Sequence, residues 1–130
     1  MPAPAQYTYA TATIVAAHTA VLDDIDAGSG AGKIRLRDDS DVLLAEIPLT
    51  DPAGSVNGGT GQLTLTASGP DTSADADGTC TYAEITDSDN NVVVSLPASQ
   101  GSSAVSGEIV ISNTSIVTGA EVSLVSAVIG

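Results

Sequence analysis

Aromatic and basic side chains are nearly missing from this chain of 130 residues. It has no Phe or Trp, only Tyr7, Tyr9 and Tyr82, and only three basic residues against sixteen acidic ones, a net charge of −13. Without aromatics there are no stacking platforms for bases or sugars and little to line a deep pocket for a flat ligand. The acidic excess repels phosphate backbones and anionic headgroups, so neither nucleic acid nor a membrane is an expected partner. The single cysteine, Cys80, excludes an internal disulfide. With no basic residue nearby in sequence to lower its pKa, it reads as a buried, inert thiol. The N-terminus lacks the charged and apolar regions of a secretory leader, and no apolar run reaches membrane-spanning length, so a soluble chain is expected.

What remains is aliphatic. Val, Ile, Leu and Ala are abundant and the mean hydropathy is positive, which argues for a folded domain rather than a disordered polyanion. This length is enough to bury roughly two-thirds of the unfolded surface around one core. Residues 1–9 are rich in Pro and Ala without periodicity and read as an extended arm, followed by one β-rich domain over residues 10–130. Ile14, Val15, His18, Val21, Leu22 and Ile25 stand at helical spacing, so an amphipathic helix is predicted over about 11–27. Thr11 or Thr13 would cap it, and the GSGAG run from Gly28 would end it.

Beyond residue 33 the chain says nearly the same thing twice. RDDSDVLLAEIP at 37–48 returns as TDSDNNVVVSLP at 86–97, 49 positions later. Folding each copy at its acidic turn gives a hairpin. In the first, Arg37 faces Val42, Arg35 faces Leu44 and Lys33 faces Glu46, with Ile34, Leu36, Leu43, Ala45 and Ile47 on the buried side. In the second, the buried side is Ala83, Ile85, Val92, Val94 and Leu96. Val56-Asn57-Gly58 aligns with Val105-Ser106-Gly107, and after a three-residue insertion QLTL at 62–65 aligns with EIVI at 108–111. Each unit is therefore a hairpin, an edge ended by proline, a loop and a third strand, and a last strand follows at 120–128. Seven strands and one helix predict a mainly β fold, an antiparallel β-sandwich or jelly-roll-like domain built from two related hairpin units.

Few residues suggest chemistry. In SADADGTCTYAE, Asp75, Asp77 and Glu84 fall at calcium-loop spacing, but the first ligand position is a serine and the following segment reads as a strand, so a solvated turn is the favoured reading. Asp38, Asp39, Asp41, Asp87 and Asp89 are turn formers, since Asp bonds its own backbone. His18 has no second His, Cys cluster or nucleophile at a useful spacing. No enzyme activity, cofactor or bound metal is expected.

Lys33, Arg35 and Arg37, all the basic residues of the chain, alternate along one strand and so project from one face. Cross-strand pairing with carboxylates is one reading; a docking stripe for an acidic surface is the other. Position 35 maps onto position 84, so Arg becomes Glu between the units, a charge reversal that head-to-tail contacts between copies could use. With the apolar outward positions Val42, Leu44 and Val93, the expected partner-binding residues are Lys33, Arg35, Arg37, Val42, Leu44 and Glu84.

The runs AGSGAGKIRLRDDSDVLLAEIPLTDPAGSVNG, TYAEITDSDNNVVVSLPA and YTYATATIVAAHTA resemble small virion structural proteins of tailed bacteriophages. The likeness spans most of the chain and rests on turns and strands rather than on a diagnostic site. It implies a head decoration or cement protein, made in the host cytoplasm and placed on the capsid exterior. There it would bind the major capsid protein and copies of itself, as a dimer or trimer. The other implied class is a tail-fibre or adhesin-like β-domain that contacts a host surface.

Overall fold

A computed structural model describes residues 8–130, so most of the expected arm, residues 1–7, lies outside the described residues. The helix α1 spans Thr11–Ile25. Its N-cap is Ala10, which gives no side-chain bond, so the expected threonine cap does not form; the first turn is closed by Thr13 N and Ile14 N donating to Ala10 O. No helix of the described residues is long and apolar enough to cross a membrane.

Nine strands follow: β1 Lys33–Arg37, β2 Leu43–Val56, β3 Leu63–Ala67, β4 Gly78–Thr79, β5 Tyr82–Thr86, β6 Val92–Gln100, β7 Glu108–Ile111, β8 Ser115–Ile116 and β9 Leu124–Ile129. Seven of them close a barrel in the order β1-β2-β3-β9-β7-β6-β5, while β4 and β8 form a separate two-stranded ribbon. The fold is thus mainly β with one helix, but it is a closed barrel rather than the expected sandwich. Closure leaves the barrel without a free edge.

The barrel closes because two strands change partner, each at a proline. The first half of β2 pairs with β1 as far as Pro48, opposite Lys33; the next residue, Leu49, pairs with β3 opposite Ala67. In the same way β6 pairs with β5 as far as Pro97, opposite Tyr82, and Ala98 then pairs with β7 opposite Ile109. Each strand changes partner there instead of ending, as the sequence pattern had suggested. Proline has no N–H to give to a ladder, and at neither position does the first ladder need one: Leu49 N and Ala98 N, the next residues, donate back to Gly32 O and Thr81 O.

The two hairpins are copies in detail. Asp38 Oδ1 accepts from Ser40 N and Val42 N, each at 2.9 Å, and Asp87 Oδ1 accepts from Asp89 N and Asn91 N at the same distance. Asp41 and Asn90 both take a left-handed backbone, with φ of 65° and 67°. This is a three-residue turn ended by a left-handed residue, which Asp and Asn tolerate. It shifts the register by one residue, and a bulge at Leu36/Arg37, repeated at Ile85/Thr86, shifts it by one more. Hence Arg35 faces Glu46, not Leu44, and Lys33 faces Pro48, not Glu46.

The bulge also exchanges two faces. Leu44, expected outside, is fully buried, and Leu43 is only half-buried; in the second hairpin Val92, expected inside, is exposed and Val93 is half-buried. The buried set now includes Ile34, Leu36, Leu44, Ala45, Ile47, Ala83 and Ile85, with Ile109 and Ile111 from β7 and Leu63 and Leu65 from β3.

β1 and β5 pair antiparallel with Ile34 against Ile85, Arg35 against Glu84 and Leu36 against Ala83. A local two-fold axis therefore passes between Arg35 and Glu84 and relates the hairpins. The relation fails at the third strand, because β3 runs antiparallel to β2 whereas β7 runs parallel to β6. The expected pairing of Gly58 with Gly107 also moves: the matching left-handed glycines are Gly61 and Gly107, with φ of 80° and 81°.

The helix covers one end of the barrel. Ile25 is fully buried and sits against Gly32, Val21 and Leu22 pack beside it, and Asp26 Oδ1 accepts from Ala53 N at 2.8 Å. At the far end of β1 the segments around Ala74, Cys80, Ile116 and Val122 close the core, tied on by Asp75 N and Ala76 N donating to Leu44 O. Gly54 is demanded by contact, since a Cβ there would lie 1.9 Å from Thr64 O. Deleting the Leu36 side chain should lower unfolding free energy by about 2–5 kcal/mol, whereas Val42→Ala should change it by less than about 0.5 kcal/mol. Urea unfolding followed by far-ultraviolet circular dichroism reads both.

Candidate functional site

The outer face of the β2-β1-β5-β6 sheet is where the sequence places its chemistry, and alternation along β1 explains why. Ile34 and Leu36 point into the core, so Lys33, Arg35 and Arg37 point out. Across the local two-fold axis run Glu46, Arg35, Glu84 and Ser95 as successive cross-strand neighbours. This row alternates in charge until it reaches the serine.

Every cation of the stripe has a partner within the chain. Arg37 Nε donates to Glu84 Oε1, and Arg37 Nη1 donates to Asp41 O at 2.8 Å. Arg35 Nε lies 3.2 Å from Glu46 Oε2 but out of hydrogen-bond alignment, so it is an ion contact without a bond. Lys33 Nζ is 4.0 Å from the same oxygen and donates to Asn90 Oδ1 at 2.8 Å. Tyr82, which faces Arg37 across the strands, donates its hydroxyl to Asp41 Oδ1 at 2.5 Å. That bond holds the phenol protonated and pushes its pKa up to about 12. The stripe is therefore a set of positive groups laid between carboxylates. The outer pairs of Glu46 with Lys33 and Arg35 contribute little stability, about 0–1 kcal/mol each, and chiefly fix the side chains in place, while the Arg37–Glu84 pair is more covered.

Of the expected contact residues, the sheet brings Lys33, Arg35, Arg37 and Glu84 together. Val42, 44% exposed, stands at the adjoining turn. Leu44 drops out, because the bulge turns it into the core, where Gly78 packs against it.

The calcium spacing does not become a site. Asp77 Oδ1 accepts from Thr118 N at 2.6 Å, Glu84 is engaged with Arg37, and Asp75 lies in the segment bonded to Leu44 O. Among the described residues no three His, Cys, Asp or Glu side chains form a group that could hold a metal ion. Glu84 fails as a partner for the aspartates because strand alternation aims it along the outer face of β5.

The remaining candidates have structural work. Cys80 is buried, burial pushes its thiol up to about 11, and Sγ points at Tyr82 O at 3.5 Å. His18 places Nδ1 2.5 Å from Gly61 O, fastening α1 to the turn between β2 and β3. Around it Tyr9, Thr13, Ile14 and Ala17 line a shallow cavity of about 370 Å³.

Several aspartates act as backbone acceptors, which spacing alone did not reveal for Asp26 and Asp71. Asp71 binds Glu46 N through Oδ2 and Ser73 N through Oδ1. Bonds from the Asn91 side chain and backbone hold Asp87 below the usual carboxylate value of 3.8, and the bonds from Thr118 do the same for Asp77.

No known protein family, no curated protein and no solved structure matches the chain.

A carboxylate whose folded pKa is depressed contributes stability that is complete above its ordinary value and is lost as pH falls through the lower one. The urea midpoint should therefore fall between neutral pH and about pH 3, and Asp87→Ala should start lower at neutral pH and fall less. An equal fall in the variant would remove Asp87 from the account.

Proposed function

We propose that this chain is a non-enzymatic virion structural protein of a tailed bacteriophage. In this reading it is a decoration or cement protein that binds the outer surface of the shell built by the major capsid protein and stabilises the head. The observation that supports it most is the division of charge over a closed barrel. All three cations lie on one sheet face, where Glu46 and Glu84 are their ion-pair partners, and the other fourteen of the sixteen carboxylates are spread over α1, the ends and bends of strands, turns and loops. Such a surface avoids packaged nucleic acid and presents one face of distinct polarity to a protein partner.

The mechanism is linkage rather than chemistry. A protein that binds the assembled shell and not its dissociated subunits stabilises the shell by RT ln(1 + [L]/Kd), about 2.7 kcal/mol when its free concentration is one hundred times Kd. The aliphatic core and the absence of free barrel edges suit a part whose task is to stay rigid on a surface.

Purified particles test the reading. Mass spectrometry should find copies on the scale of the capsid subunits; copies on the scale of a tail would favour the fibre class, and none would end the proposal. Lys33→Glu combined with Arg35→Glu should weaken binding to stripped particles about tenfold or more, with a stronger loss at low salt. Unchanged binding by a folded variant would move the dock away from this face.

A further inference from the structure

We propose that Asn57 is a deamidation site of the folded protein, in which the turn between β2 and β3 promotes attack of the Gly58 backbone nitrogen on the Asn57 side chain. The chain has four asparagines, Asn57, Asn90, Asn91 and Asn113, and only Asn57 precedes a glycine. The residues after the others, Asn91, Val92 and Thr114, carry a Cβ that crowds the backbone nitrogen; Gly58 carries none, and apart from its chain neighbours no atom lies within 4 Å of where one would stand.

The turn already holds the reacting carbonyl. Asn57 Oδ1 accepts from Gly59 N at 2.8 Å and from Thr60 N at 3.2 Å. Two fixed N–H groups on that oxygen draw electrons from Cγ and are placed to stabilise the negative charge that appears on Oδ1 during attack, the role of donors in an oxyanion hole. Neither Gly58 N nor Asn57 Nδ2 bonds to a described residue, so the nucleophile and the leaving group are both open to water. The backbone on either side is fixed: Asn57 N donates to Gln62 O at 2.8 Å and Gly61 N donates to Asn57 O at 2.7 Å. The site therefore stays assembled while the chemistry proceeds.

The step balances without an oxidant or a cofactor. Gly58 N loses its proton to solvent and forms a bond to Cγ; the Cγ–Nδ2 bond breaks and ammonia leaves, closing a succinimide. Water then opens the ring at either carbonyl, giving aspartate or isoaspartate. Each product adds a negative charge to a chain that already carries −13. The isoaspartate also routes the backbone through the former side chain, beside the Gly61 carbonyl that His18 holds.

The test is to hold the native full chain in mildly alkaline buffer and follow each asparagine by peptide mass spectrometry, with enzymatic isoaspartyl methylation as a second readout. Asn57 should convert about tenfold or more faster than Asn90, Asn91 or Asn113. Gly58→Ala, for which the turn has room, should slow conversion at Asn57 about tenfold or more while leaving the circular dichroism unchanged. Conversion at Asn57 no faster than at Asn113 would overturn the proposal. So would an amide that survives in the native chain over an interval that converts it in urea, or an unchanged rate in the folded Gly58→Ala variant.

Discussion

The closed barrel depends on two strands, β2 and β6, that each serve two ladders, one up to a proline and another beyond it. The hand-over at Pro48 is made on both sides of the strand at once: Leu49 N donates back to Gly32 O at 3.1 Å, while Ser68 N donates to Pro48 O at 2.9 Å from the side of the new partner. At Pro97 the next residue likewise reaches back, Ala98 N donating to Thr81 O at 3.1 Å. Two strands that each serve two ladders are enough to join the hairpin sheet to the β3-β9-β7 sheet on both sides, and an aliphatic core without a single Phe or Trp then fills the interior.

The outer face inherits its character from that closure. Because β1 and β5 meet on a local two-fold axis, the position that is Arg35 in one unit lies beside the position that is Glu84 in the other. A duplicated hairpin with arginine at both sites would set two like charges opposite each other, which is destabilising. The reversal removes that repulsion and lets Arg37 reach Glu84 diagonally. The same substitution that looks in sequence like a polarity for head-to-tail assembly is, within the molecule, a cross-strand charge match. The proposed dock on this face would use what remains of its surface after that match.

Much of the barrel was legible because its signals are local. The apolar alternation at Ile34 and Leu36 marked β1, and the repeat of DDSD as DSDN marked both turns, which close with the same bonds from Asp38 and Asp87. What was hidden follows from residues added to the ladder without a mark in the sequence. The left-handed Asp41 and the bulge beyond it each add one and move Leu44 inside; Asn90 and its bulge do the same in the second hairpin and move Val92 outside. The calcium spacing misled for a related reason, since a fixed interval along the chain says nothing about which face of a strand a carboxylate will take. Asn57-Gly58 was visible as an alignment landmark, but its amide oxygen gained meaning only when Gly59 and Thr60 were seen to donate to it.

The sequence by itself determined the aliphatic core, the strand periods, the two acidic turns and the placing of all three cations on one strand face, because each follows from steric and polar preferences acting over a few residues. Only the tertiary structure decided that the sheets close, that β7 runs parallel to β6 while β3 runs antiparallel to β2, and that Arg35 meets Glu46 and Glu84. Those outcomes depend on which distant strands pair with the second halves of β2 and β6, and that competition is settled by packing across the whole core.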